Sequence, residues 1–251
     1  MSGELTRREE VGDLVARLSD ADVDRPERGR LLLRLAGLLA TGARIAGARA
    51  AVSGRLLADL VTDVAPHLPV RDLLTLREHH GGLSGDELAE ALVAAASRTT
   101  AGIGAAGGAL ASAEFAAPPA LLAAPVQLAA ETLAVVAVEL KLVAELHVVH
   151  GRTPRGSLAQ NATAYLVAWA TRRAIDPDTP PPSMATALGA AARAQLRSRV
   201  LRRLGRNVTT LAPFLAGAVA AAELNRRETR TLGDKLRADL RRGGRSTVPS
   251  D

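Results

Sequence analysis

The chain has 251 residues, 47% hydrophobic and 23% charged, with four aromatic residues and no cysteine. That length and apolar fraction exclude chain-wide disorder and allow one large domain or two small ones; the missing thiol excludes a disulfide scaffold, a zinc knuckle, an iron–sulfur site and cysteine catalysis. The formal charge of +6 hides an asymmetry, 14 basic against 19 acidic residues before Gly151 and 18 against 7 from it onward, which directs an anionic partner to the C-terminal part.

In chain order, almost everything periodic has the helical period, and no Val-, Ile- or Thr-rich run alternates with period two, so the sequence predicts an all-α, multi-helix bundle. Glu4 to Leu18 reads as an amphipathic helix with Leu5, Val11, Leu14, Val15 and Leu18 on one side. Pro26 suits the first turn of a second, leucine-rich helix that continues or breaks near Thr41-Gly42, and a third runs to about Val64, before Pro66. Pro69 opens a short helix ending at His79-His80-Gly81-Gly82, and Ser84-Gly85-Asp86-Glu87 has the spacing of a capping box that starts the next.

After Arg98 the composition turns to Ala and Gly, with Glu114 the only charge between Thr99 and Ala130 and Pro118-Pro119 as an interruption. A long helix follows Pro125 and ends at Gly151, a left-handed cap. Further helices are predicted from Ser157 to Ala174, from Ser183 to about Arg206 and from Leu215 to Arg242, with a proline-rich loop at Pro177 to Pro182. This divides the chain into an N-terminal helical region, 1–82, a Gly/Ala-rich helical core with a central hairpin, 83–242, and a disordered tail, 243–251.

The string Gly102-Ile103-Gly104-Ala105-Ala106-Gly107 matches the dinucleotide fingerprint, but that mechanism needs a preceding strand and a following acidic strand end, whereas here Leu92 to Arg98 reads as the end of the capped helix and no strand follows. Gly102, Gly104, Gly107 and Gly108 read instead as a smooth helix face for close packing or for membrane insertion. Insertion is marginal by composition, since Leu and Val are sparse up to residue 120 and Gln127 and Glu131 penalise the second half. A second uncharged stretch, Val208 to Ala222, has arginines on both flanks, which suits a hairpin or surface-lying segment better than a crossing.

Arg199, Arg202, Arg203 and Arg206 fall within about 100° of arc on one helix, and Arg226, Arg227 and Arg230 follow the uncharged stretch. They are candidate contacts for anionic lipid or for other phosphates, beside the plain reading of a solvated arginine face. Without a helix-turn-helix, a zinc finger or a stacking aromatic on that face, nucleic acid is the less favoured partner.

Glu139, His147 and His150 suggest a metal pair, yet the Glu-x-x-His spacing fails at Ala144, so neither metal nor cofactor is expected. No nucleophile–base order stands out either, and no catalytic residue is assigned. In the last helix, Leu232, Leu236 and Leu240 define a buried stripe that also carries Asn225 and Thr229, which places an amide that must tie this helix to a neighbour. The two lysines, Lys141 and Lys235, against thirty arginines read as coding bias.

The Gly/Ala-rich segment Thr100 to Ala113, the helix Glu139-Leu-Lys-Leu-Val-Ala-Glu-Leu-His147 with Gly151 soon after, and Asn225 with Thr229 and Gly233 together resemble the EcsC family of bacterial proteins over about residues 83–242. Where that family has a tyrosine before the glycine ending the long helix, this chain has His150. The resemblance implies a helical, membrane-peripheral protein and transfers no catalytic residue. With no apolar stretch of roughly 7 to 15 residues behind Met1 to Glu10, no cleaved signal is expected. The expectation is a non-enzymatic cytoplasmic protein at the inner membrane face, its partner an anionic lipid or a membrane protein. A soluble scaffold or protein-interaction bundle is the alternative.

Overall fold

The computed structural model describes residues 2–46, 54–115, 124–154, 161–162, 164–165, 168–169 and 215–245. These residues are 86% helical, in seven helices without a strand. The helices are α1 (Ser2–Leu18), α2 (Arg25–Ala46), α3 (Gly54–Val64), α4 (Leu73–His79), α5 (Gly85–Phe115), α6 (Ala124–Val149) and α7 (Leu215–Arg245).

Local chemistry sets most boundaries. Asp24 Oδ1 accepts the Glu27 amide at 2.7 Å and caps α2, with Pro26 in the first turn where its missing N–H is not needed. The helix then runs through Thr41-Gly42 to Ala46. Pro66 falls in one turn of 3₁₀-helix, Ala65–His67, which terminates α3. The short helix α4 starts at Leu73 and not at Pro69, because Asp72 is extended and its Oδ1 takes the Thr75 amide at 2.8 Å. Gly81 and Gly151 sit at positive φ, 64° and 63°, and close α4 and α6 with paired backbone bonds: Gly82 N–H to Arg77 O and Gly81 N–H to Glu78 O, Arg152 N–H to His147 O and Gly151 N–H to Val148 O.

Two further boundaries differ from the sequence expectation. The helix begun at Gly85 does not end near Arg98 but continues through the glycines to Phe115, and α7 passes Gly243 to reach Arg245. Glycine inside a helix costs about 1 kcal/mol relative to alanine, so α5 depends on what its bare faces touch.

The helix α6 is the axis of the bundle. Every residue from Gln127 to Leu146 is buried except Lys141, and α1, α2, α3, α5 and α7 all pack against it. A helix wrapped on all sides has no use for a polar face, which explains a composition without an amphipathic stripe. The apolar core is continuous from Val11 and Leu35 through Leu133 and Leu146 to Leu236, so residues 1–82 share one interior with the helices that follow. No described helix is long and apolar enough to cross a membrane.

Candidate functional site

The most extensive contact among the described helices is between α5 and α7. Gly104 and Gly108 lie four residues apart, hence on one face of α5. A Cβ at Gly104 would stand 2.6 Å from both the Ala221 carbonyl oxygen and Asn225 Nδ2, and one at Gly108 would stand 2.6 Å from Ala218 Cα. At the other end a Cβ at Gly233 of α7 would stand 2.6 Å from Val93 Cγ2. The pairings 93 with 233, 104 with 221 and 108 with 218 make the helices antiparallel, with opposed macrodipoles.

The other two glycines admit other neighbours. Gly102 takes the Arg28 side chain, whose Nε would lie 3.2 Å from a Cβ there, and Gly107 takes the carboxylate of Glu131 while its carbonyl accepts from Gln127 Nε2 at 3.1 Å. Arg28 is almost fully buried, and its guanidinium donates to the carbonyls of Leu18 (2.9 Å), Asp20 (3.1 Å) and Val23 (2.7 Å), fastening the α1–α2 loop. Burial lowers its pKa from the ordinary arginine value, with Asp20, Asp24 and Glu27 opposing. The four glycines thus serve α2, α6 and α7 at once, and the fingerprint string lies in mid-helix with no strand before it.

Asn225 and Thr229 both face this interior. Asn225 Nδ2 donates to the Thr100 carbonyl at 3.1 Å, and Thr100 Oγ1 approaches the Asn225 carbonyl at 3.3 Å, a reciprocal link between α5 and α7. Thr229 Oγ1 donates to Glu139 Oε1 at 3.1 Å, and Trp169 Nε1 donates to Glu139 Oε2 at 2.9 Å. Glu139 and Thr229 have no solvent exposure, and a carboxylate in an apolar core requires such donors. Sequence reasoning placed Asn225 and Thr229 on the stripe but missed Trp169, Thr100 and Arg28. Trp169 is the chain's single tryptophan, and a buried indole N–H demands an acceptor, which was the available signal.

Six arginines of α7 are already engaged within the chain. Arg226 and Arg227 both hydrogen-bond Glu223, Arg226 at 2.7 and 2.8 Å, which holds the Glu223 carboxyl down at about 2. Arg230 and Arg237 converge on Glu90 of α5; burial raises the Glu90 carboxyl, but the two guanidinium bonds outweigh it and hold it below its ordinary value. Arg241 pairs with Asp86 at 3.2 Å. Even so, Arg227 and Arg242 keep 73% of their side-chain surface, and Lys235 is exposed beside them. Arg199, Arg202, Arg203 and Arg206 lie outside the described residues.

His147 has its own partners: its Nδ1 lies 2.7 Å from the Val143 carbonyl and its ring packs on Tyr165 with centroids 5.4 Å apart. Among the described residues no group of three or more His, Asp or Glu is placed to hold a metal ion. Compared with known proteins, the chain matches no family model, no curated protein and no solved structure.

Proposed function

We propose that the chain is a non-enzymatic helical interaction protein that adsorbs to an anionic membrane surface through the outer face of α7. The observation carrying this reading is the surplus of cations on that helix. Between Leu215 and Arg245 it has eight basic and four acidic residues, and Arg227, Lys235 and Arg242 are exposed in the half where the basic residues cluster. Each basic residue near an anionic surface contributes about 1 kcal/mol, so three would shift partition by roughly two orders of magnitude at low salt.

This reading replaces insertion by adsorption. The apolar hairpin formed by α5 and α6 is the bundle's own interior, and lipid would have to displace α7 from Gly104 and Gly108 and uncover a helix buried on every side. The EcsC-like relationship belongs to the same proposal. What supports it is that Glu139, Asn225, Thr229 and Gly233, four residues that carry the resemblance, all lie in the interior between α5, α6 and α7. A scaffold or protein-interaction bundle without lipid is the second reading, favoured by how many of the arginines are paired within the chain.

Cosedimentation of the full chain with phosphatidylserine-containing and purely phosphatidylcholine vesicles tests the proposal. Binding to the anionic vesicles alone, abolished by 0.5–1 M salt (about 3–4 Å of screening length) and weakened by Arg227→Glu with Arg242→Glu, is expected. Salt-resistant binding would mean that the hairpin opens into lipid, and no binding at low salt would leave the scaffold reading.

A further inference from the structure

The charged groups around Lys141 form a cluster that neither the α5–α7 seam nor the basic face of α7 uses. Lys141 is the one break in the buried run of α6, partly exposed where the α1–α2 loop and the segment leading into α4 meet that helix. On an isolated helix its partner would be Glu145, one turn on. Here Glu145 is buried and already committed. Its Oε1 accepts from Arg71 Nε at 2.8 Å, its Oε2 from Arg71 Nη2 at 3.0 Å, and the Arg71 amide lies 3.5 Å from Oε1. Among the described residues no hydrogen bond or ion pair holds the Lys141 ammonium.

The groups whose fields reach Lys141 are Glu145 on its own helix, Arg71 before α4, and Asp20 and Asp22 from the α1–α2 loop. Burial lowers its pKa from the ordinary lysine value and Arg71 adds to that, against the three carboxylates. Arginine at such a position would stay a cation at any accessible pH, whereas lysine has a neutral, nucleophilic form. The chain holds thirty arginines and two lysines, and the second, Lys235, lies on the exposed face of α7.

We propose that Lys141 is an acyl-acceptor site, a modification site at which its ε-amine takes an acyl group from an activated thioester. The ammonium first releases a proton to water. Nζ then attacks the thioester carbonyl carbon, the C–N bond forms, the C–S bond breaks, and the departing thiolate is protonated as the nitrogen loses its second proton. Nothing is oxidised or reduced. The product is a neutral amide, which needs no counter-ion in a place where the natural one belongs to Arg71, and the cluster loses one positive charge.

The test uses the full chain and a limiting amount of a small acetyl thioester, with occupancy at Lys141 and Lys235 followed by peptide mass spectrometry from pH 7 to 10. Each unit by which the Lys141 pKa lies below the ordinary lysine value makes about tenfold more of it neutral at pH 7, so Lys141 is expected to acylate several-fold faster there than Lys235, with the ratio shrinking towards pH 10. Lys235 reacting as fast or faster at pH 7 would overturn the proposal. Arg71→Gln frees Glu145 to take Lys141 as its ion partner and is expected to remove the preference. A preference unchanged in that variant, with the fold intact by circular dichroism, would also overturn it, since the committed carboxylate would then not be the cause. Lys141→Arg, which keeps the charge, is expected to leave the Lys235 rate unaltered and to abolish labelling of the α6 peptide.

Discussion

The helices α2 and α7 both lie against α5 and α6, yet they are held there by opposite means. Along α2 the contact is made by volume: Leu31, Leu32 and Leu35 fill the space between the helices, and Gly29 and Gly37 have nothing within 4 Å of where a Cβ would stand. Along the first half of α7 the contact is made by proximity: Ala218 and Ala221 meet Gly104 and Gly108 backbone to backbone, and Asn225 supplies a hydrogen bond in place of bulk. The difference teaches what glycine does in an alanine-rich chain. The same residue weakens α2 without return and makes the α5–α7 contact possible.

Three substitutions sharpen that comparison, each read from urea denaturation. Leu35→Ala removes a fully buried side chain from the volume-filled contact and is expected to cost about 2–5 kcal/mol. A loss below that range would mean the α2 contact collapses around the gap. Gly104→Ala comes next. The new methyl adds about 1 kcal/mol of helix propensity but lies 2.6 Å from a backbone oxygen, and overpacking costs about 1–3 kcal/mol, so a net loss of up to about 2 kcal/mol is expected. A gain there would break the comparison, because it would show that α7 can move aside freely. The smallest effect is Gly29→Ala, in open space on α2, where propensity alone acts and a gain of about 0.5–1 kcal/mol is expected.

How much of this was legible in the sequence depends on how far apart the interacting groups are. The left-handed cap at Gly151, the close of α4 at His79 to Gly82 and a helix start beside Ser84 are decided within a turn of chain and are legible there, whereas the positive φ of Gly85, 52°, is not what the capping-box spacing implies. The stripe Leu232, Leu236, Leu240 and its extension to Asn225 follow from helical spacing, and burial of that amide forces a partner. The start of α4 is local too, but two residue types compete for it: Pro69 suits a first turn, and Asp72, whose side chain accepts the Thr75 amide, supplies the cap. Arg28 was illegible: its acceptors are three loop carbonyls, and carbonyls leave no mark in a sequence.

The sequence by itself determined the fold class of the protein, its helical period, the glycine cap at Gly151 and the uneven distribution of charge, because each of these is carried by residue type and short spacing. Only the tertiary structure decided that α5 runs unbroken through four glycines, since intrinsic propensity opposes them and the close approach of α7, Arg28 and Glu131 is what they accommodate. It decided as well that Glu139 belongs to Trp169 and Thr229 and not to His147. It decided, finally, that Glu145 is taken by Arg71, 74 residues away, and not by Lys141 one turn off, because a bidentate guanidinium satisfies a buried carboxylate better than a single ammonium does.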